Sequence, residues 1–334
     1  MKNKSLFILL VICIIQGACN GGREKETENS DILEEPKAAV NPPPFNSDSA
    51  YYFIEQQVDF GPRVPNTVSH KKTGDFLVET LSRYGAKVVE QTFEAEAFDG
   101  TKLYLRNIIG SYNLEARKRI LLAAHWDTRP FADKDTKDEN LPIEGANDGG
   151  SGVAVLLEFA RIFKDSLPEV GIDIILFDGE DYGEPDSFKG NLSRGEIYWC
   201  LGSQYWSENP HIPGYSAYYG ILLDMVGAKD AAFYQEGISM HYAPKVVEKV
   251  WNTAANLGYR QYFVPSKTGM ITDDHVFINE KAQIPTIDII QYGPDNAGVF
   301  FGDYHHTHRD NMDIISKETL KAVGETVLHV IYNE

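Results

Sequence analysis

Cysteine is scarce in this chain, and what there is cannot cross-link it. Of 3 cysteines in 334 residues, Cys13 and Cys19 fall in an N-terminal stretch read below as a leader. Cys200 is then alone, which excludes an intramolecular disulfide and leaves stability to a large core. Its expected role is that of a small buried hydrophobe rather than a reactive thiol. Long apolar runs are missing too: the run at 6–15 has 10 residues, against the roughly 20 that span a bilayer. Basic residues are few, with Lys+Arg 31 against Asp+Glu 49 and a net charge of −18. That balance excludes nucleic acid or an anionic membrane as an electrostatic partner. No internal repeat and no interior linker divides the chain.

What is present begins with a leader. Lys2 and Lys4 precede the apolar run, and the pattern is that of a signal peptide over 1–19. It ends in Gln16-Gly17-Ala18-Cys19, similar to a lipobox, so the expectation is an exported protein, periplasmic or a lipoprotein of the outer membrane. Gln16 departs from the apolar residue usual there, and plain cleavage is the alternative. Residues 20–46 are polar, acidic and proline-rich, with too little to bury to offset the cost of ordering. They read as a tether, stiffened by Pro42, Pro43 and Pro44. Residues 47–334 read as a single catalytic domain, expected to be monomeric.

Within that domain, helical spacing is expected over 47–60 and after a Thr67 cap, with Leu77 and Leu81 inward. Strands are expected at 88–93, 103–112, 119–124, 172–177, 218–223 and 284–290. Further helices follow the glycine-rich turn at 149–152, begin near Leu201, cover 243–257, and close the chain over 317–332 behind a Ser316 cap. Strands alternating with helices imply an α/β fold. The expectation is three α/β/α layers around a central mixed, mostly parallel sheet.

Five segments place a carboxylate or histidine at the end of an apolar run: AAHWDT (123–128), EGANDGGSG (144–152), ILFDGED (175–181), ILLDMVGA (221–228) and DYHHTHRDN (303–311). Strand ends in an α/β sheet open onto one crevice. His125, Asp148, Asp181, Asp224 and His306 therefore read as one metal site. Asp148, Asp181 and His306 suit a zinc that keeps a position open to polarise a substrate carbonyl. Asp127 can orient His125 from behind. Glu180 diverges from its neighbour Asp181 and can face the substrate as a proton carrier.

This ordered set, HWD, ANDGGSG, DGED, LDMVGA and HHTHRDN, resembles the zinc aminopeptidase clan. With FGPRVPNT (60–67) and ITDDHVFI (271–278), it looks more like the animal-type glutaminyl cyclases and their exported bacterial members. The resemblance runs from about residue 48 to the C-terminus. It implies a glutaminyl-peptide cyclotransferase: N-terminal glutamine of a peptide or protein closes to pyroglutamate and ammonia leaves. It implies zinc ligands Asp148, Asp181 and His306, Glu180 as proton shuttle, and Asp224 with Asp273 as an acidic pair. It leaves an alternative, a di-zinc aminopeptidase using His125 and Asp224 for a second ion. A non-enzymatic surface lipoprotein on the same fold is a further alternative, disfavoured by the complete ligand set. Asp273 is the discriminator, because clan peptidases carry serine there. A carboxylate beside Asp224 is expected to share its proton and favour a single zinc, whereas the plain alternative for Asp273 is a helix cap.

The chain departs from the animal pattern at three places. Asp181 replaces a glutamate ligand, His305 a tryptophan of the substrate pocket, and Asp288 a histidine of the acid network. Trp199, Trp206, His305 and Asp288 are candidates for the substrate pocket, either tryptophan as an aromatic wall for the glutamine stem. The polar segment 182–198 is expected to rim the pocket. His70, His275 and His308 read as structural.

Overall fold

The computed structural model describes residues 40–185, 187–190, 192, 195–294 and 300–334. The expected leader, Cys19 and most of the expected tether lie outside these residues. The last part of the tether does not behave as one. Val40 exchanges two hydrogen bonds with the Asn333 side chain, at 2.8 and 3.0 Å. Phe45 is buried against Phe159. An apolar ring within a proline-rich stretch was enough to dock it, so the ordered domain starts before residue 47.

The sheet has six strands. They are β1 (Lys87–Glu96), β2 (Lys102–Tyr112), β3 (Arg119–His125), β4 (Gly171–Phe177), β5 (Tyr219–Asp224) and β8 (Thr286–Ile290), in the order β1-β2-β4-β3-β5-β8. β1–β2 and β2–β4 are antiparallel, while β4, β3, β5 and β8 run parallel. β6 (Phe233–Gln235) and β7 (Phe263–Lys267) form a separate two-stranded sheet. The central strands read as continuous apolar runs because both faces are covered.

Alternation along β3 separates the two cores. Ile120, Leu122 and Ala124 face α1 (Ser47–Asp59), α2 (Val68–Arg83), α3 (Gly150–Asp165), α6 (Pro244–Asn256) and α8 (Lys317–Tyr332). Leu121 and Ala123 face the opposite layer, with Trp206 of α4 (Leu201–Glu208) and Ile278 of α7 (Asp274–Glu280). The short α5 (Gly237–Tyr242) precedes α6. This is the three-layer α/β/α architecture with a mixed sheet. Thr67 and Ser316 cap α2 and α8 as expected. The sequence reading passed over β6, α5 and β7, whose apolar patterns are too short to register as a period.

The parallel strands all point their carboxyl ends one way. His125 is level with Phe177, and Asp224 with Ile290, so the loops leaving β3, β4, β5 and β8 meet over one edge of the sheet.

Candidate metal centre and acid cluster

The turn after Asp148 sets the site. Gly149 has φ +72°, and a Cβ there would press on His125 and the Asp127 carbonyl. A Cβ on Gly152 would lie 2.1 Å from the Leu223 carbonyl oxygen. These two glycines let α3 start directly beneath the ends of β3 and β5. Asp148 is thereby brought to the imidazole of His125, whose Nε2 lies 3.0 Å from Asp148 Oδ1 and 3.2 Å from Asp224 Oδ1.

His306 arrives from the loop after β8, with φ +56°. Its Nε2 lies 3.3 Å from Asp181 Oδ1 and 3.8 Å from Asp148 Oδ2. Two carboxylates from different loops thus address one imidazole nitrogen. Asp181 Oδ2 is buried with no hydrogen-bond donor, a costly arrangement unless a cation sits there. Oxygen and imidazole donors of this kind are what zinc takes. Donor atoms lie within 4.8 Å of one another in two sets, Asp148 with His305 and His306, and His125 with Asp148 and Asp224, and Asp181 reaches the first set through His306.

Asp127 does more than face His125. Its oxygens accept from the backbone N–H of Glu180 and Asp181, at 3.0 and 3.1 Å. The contact to His125 Nδ1 is longer, 3.6 Å. It therefore holds the DGED turn in place, from which Glu180 faces the cavity and Asp181 the metal position.

The site has a frame that sequence reading missed. Arg63 is fully buried and donates to the carbonyls of Trp126, Glu144 and Gly145, at 2.9, 2.7 and 2.6 Å. Burial pulls its guanidinium down to about 10, against the attraction of Asp310. Asp310 accepts from the backbone N–H of Asn147 and Asp148, at 2.7 and 3.0 Å. Burial and the nearby Asp148 push it up to about 7. Arg129 forks onto Asp133, at 2.6 and 2.8 Å, and donates to the Asp181 carbonyl at 3.1 Å. Asp133 in turn faces His306 Nδ1 at 3.4 Å. Arg63 and Asp310 lie inside FGPRVPNT and HHTHRDN, so the signal was present, but only tertiary contacts reveal their work.

A cavity of about 450 Å³ opens over these residues. Asp148, Glu180, Asp224 and Asp273 lie on its floor and sides, with Trp199, Phe301, His305 and Lys134 around them. Glu184 and Ile197 of the 182–198 segment line it as well, and no described residue of that segment is helix or strand. Trp199 lies parallel to His306, ring centroids 6.0 Å apart. His305 stacks on Phe301 and accepts from Lys134 Nζ at 2.8 Å. A wider groove of about 1110 Å³ between α2 and the β1–β2 ribbon is lined by Thr67 and His70 and by none of the candidate metal or catalytic residues.

Two expected pocket residues lie elsewhere. Trp206 is fully buried in the opposite core against Phe177 and Tyr215. Its place on the inward face of α4 turns it from the cavity. Asp288 is fully buried on β8 and does not line the cavity, because it sits two residues deeper along the strand than Ile290, which does.

Asp288 belongs to an acid cluster. Asp273 caps α7, accepting from the Asp274 N–H at 2.5 Å, so the cap reading holds. Its other oxygen and both oxygens of Asp288 meet no N–H or O–H of another residue. The two carboxyls interact directly, and burial together with Asp273 pushes Asp288 well above the carboxylate range. A proton on Asp288 relieves their repulsion. The partner expected for Asp273 was Asp224; Asp273 acts on Asp224 through its charge instead. Asp224 is raised to about 7, mainly by burial, against the hydrogen bond from His125. His275 Nε2 lies 3.1 Å from Glu236 and its Nδ1 3.8 Å from Asp288. His70 pairs with Asp178 at 2.9 Å, and His308 with Asp135 at 3.1 Å. All three have local carboxylate partners.

Burial pushes Glu180 well above the carboxylate range, opposed by His125 and reinforced by Asp181. For Asp148, burial is outweighed by the hydrogen bond from His125, which holds it below that range.

Comparison with known proteins agrees with this geometry. The model of peptidase family M28 matches residues 107–331. A glutaminyl cyclase structure from Bacteroides thetaiotaomicron is 54% identical, with TM-score 0.84, covering 88% of this chain and 100% of that one. A Zn-dependent exopeptidase from Parabacteroides distasonis is 52% identical, with TM-score 0.84, covering 87% and 99%. The glutaminyl-peptide cyclotransferase of Drosophila melanogaster is 24% identical over 77% of this chain and 73% of its own length.

Proposed function

We propose that this chain, which belongs to peptidase family M28, is a zinc-dependent glutaminyl cyclase with one zinc per chain, held by Asp148, Asp181 and His306. The observation that carries this reading is the meeting of Asp148 and Asp181 at His306 Nε2, under a cavity that Glu180 also lines. When bound, zinc supplies a Lewis acid for the γ-carbonyl of an N-terminal glutamine.

The residues of the chain do the rest. The stem of the glutamine lies between Trp199 and Phe301, with water kept from the floor. Glu180 takes a proton from the α-amine as that nitrogen bonds to the γ-carbon. It returns the proton to the side-chain nitrogen as the old C–N bond breaks, and ammonia departs. A carboxyl raised by burial is suited to carry a proton both ways. Asp224 and Asp273 present negative charge to the substrate amine. The peptide beyond the glutamine leaves through the mouth of the cavity, so many second residues are accepted.

A di-zinc aminopeptidase is the second reading. It is favoured by His125 Nε2 lying within 3.2 Å of both Asp148 and Asp224, a geometry a second ion could exploit. Incubation with glutaminyl and leucyl dipeptides separates the two. Ammonia without free amino acid supports the cyclase, and free leucine with two zincs per chain supports the peptidase.

Export and lipid attachment at Cys19 are part of the proposal. They rest on Lys2, Lys4 and the apolar run that follows. No helix among the described residues is long and apolar enough to cross a membrane. Substrates are then exported peptides or proteins with N-terminal glutamine, acted on by a monomer without nucleic acid. Mass spectrometry of the processed N-terminus tests the anchor, and an unmodified Cys19 would refute it.

A further inference from the structure

We infer that Cys200 is a positioning residue for Glu180: its thiol holds one carboxylate oxygen so that the other is presented to the substrate. The inference rests on the reading of Glu180 as the proton carrier.

Three observations converge on it. The Sγ–H of Cys200 donates to Glu180 Oε1 at 3.2 Å, the one side-chain donor to that carboxylate among the described residues. The two backbones are also clasped, Cys200 N–H to the Glu180 carbonyl at 2.9 Å and Leu201 N–H to the Gly179 carbonyl at 3.0 Å. The thiol therefore sits at a fixed distance from the glutamate it contacts. Finally, Cys200 has φ +58°, a left-handed conformation in which glycine is at ease and a side chain is strained. Residues held so tend to sit at functional sites, where the surroundings overrule the strain.

The chemistry of the thiol suits the role. Cys200 is fully buried. Burial first, then the charge of Glu180, pushes its thiol well above the ordinary range, so it remains S–H, a neutral donor that neither competes for metal nor attacks substrate. Glu180 and Asp273 both line the cavity, and a ligating atom of each lies within 4.8 Å of the Cys200 sulfur. A free Glu180 side chain could turn toward either the metal position or the acid cluster. Tethering Oε1 removes those rotamers and leaves Oε2 for the amine. The gain is one of orientation, the kind of placement that a proton transfer requires.

The test uses the whole protein with zinc, and Cys200→Ala, Cys200→Ser and Cys200→Gly. Alanine removes the donor and is expected to lower kcat about tenfold, the scale of a lost hydrogen bond to a charged group, with KM and zinc content unchanged. Serine restores a donor and is expected to recover most of that rate. Glycine relieves the backbone while removing the donor, so it is expected to be at least as stable as wild type and as slow as alanine. It keeps the test valid if alanine fails to fold. Wild-type kcat in the alanine or glycine variant, or serine as slow as alanine, overturns the inference. So does a change confined to KM. Ammonia release and leucine release are followed together. If wild type releases only leucine, the cyclase reading fails, and the same variants are then compared on that rate, for which Glu180 is again the proton carrier.

Discussion

Two groups of buried carboxylates meet beneath the cavity, and they escape the cost of burial by different means. In the first, Asp148 and Asp181 converge on His306, and Asp148 stays ionised through its imidazole neighbours. In the second, Asp288 faces Asp273 with no N–H between them and is held protonated. Crowded carboxylates in a low-dielectric interior must be neutralised by a cation or by protons. In the proposed metal group, Asp148 and His306 line the cavity, from which a cation could reach them. The acid cluster takes a proton because Asp288 lies fully buried beneath the cavity. Asp224 lies between the two, raised to about 7, and this intermediate state is what a choice between one and two metals would turn on.

Removing a ligand should break the comparison most severely. His306→Ala is expected to lose zinc and reduce ammonia release by about 10³-fold or more, checked by metal emission analysis alongside the rate. Retained zinc with retained rate would place the metal elsewhere. Glu180→Gln separates holding the metal from moving the proton: zinc should stay while kcat falls by roughly 10²–10⁴-fold. Unchanged turnover would remove Glu180 from its assigned role.

Asp310→Ala probes the frame rather than the donors. It leaves the backbone N–H groups of Asn147 and Asp148 without their acceptor and removes a charge near the buried Arg63. A loss of about 2–4 kcal/mol in urea unfolding is expected from the two buried donors left unsatisfied, and an unchanged midpoint would mean that the frame is redundant.

The smallest effect concerns the acid cluster alone. The folded protein keeps a proton on Asp288 at pH values where the unfolded chain has released it. Unfolding therefore releases a proton, and stability falls as pH rises above the ordinary carboxylate range, until the group titrates in the fold as well. The slope from one such group is about 1.4 kcal/mol per pH unit. Asp288→Asn should flatten it, measured by urea unfolding of the zinc-loaded protein from pH 5 upward. Parallel curves for the two proteins would assign the proton to a neighbour.

The fold was legible where patterns are long. The apolar runs of β3, β4 and β5 and the capped periods of α2 and α8 needed no tertiary information. The short β6, α5 and β7 carry too few residues to show a period. Side chains at strand ends were legible for a similar reason: a carboxylate closing a buried strand has little else to do. Which way an interior side chain faces was not. Trp199 and Trp206 look alike in sequence, yet one walls the cavity and the other fills the opposite core. Asp288 was recognisable as a departure from the family pattern, but its depth came from its place along β8, two residues inward of the cavity-lining Ile290. Arg63 and Asp310 were invisible as positioning groups because their partners are main-chain atoms, which no residue pattern encodes.

Arg63 carries one more implication. It belongs to the loop between α1 and α2, yet it gathers carbonyls from the segments after β3 and before α3. A shortened chain beginning after α2 would still contain every proposed ligand, the proposed proton carrier and the whole central sheet. It would lack the one guanidinium that cinches those segments together. The opening helices are thus a buckle for the catalytic edge, and engineering that trims them as dispensable packaging would unfasten it.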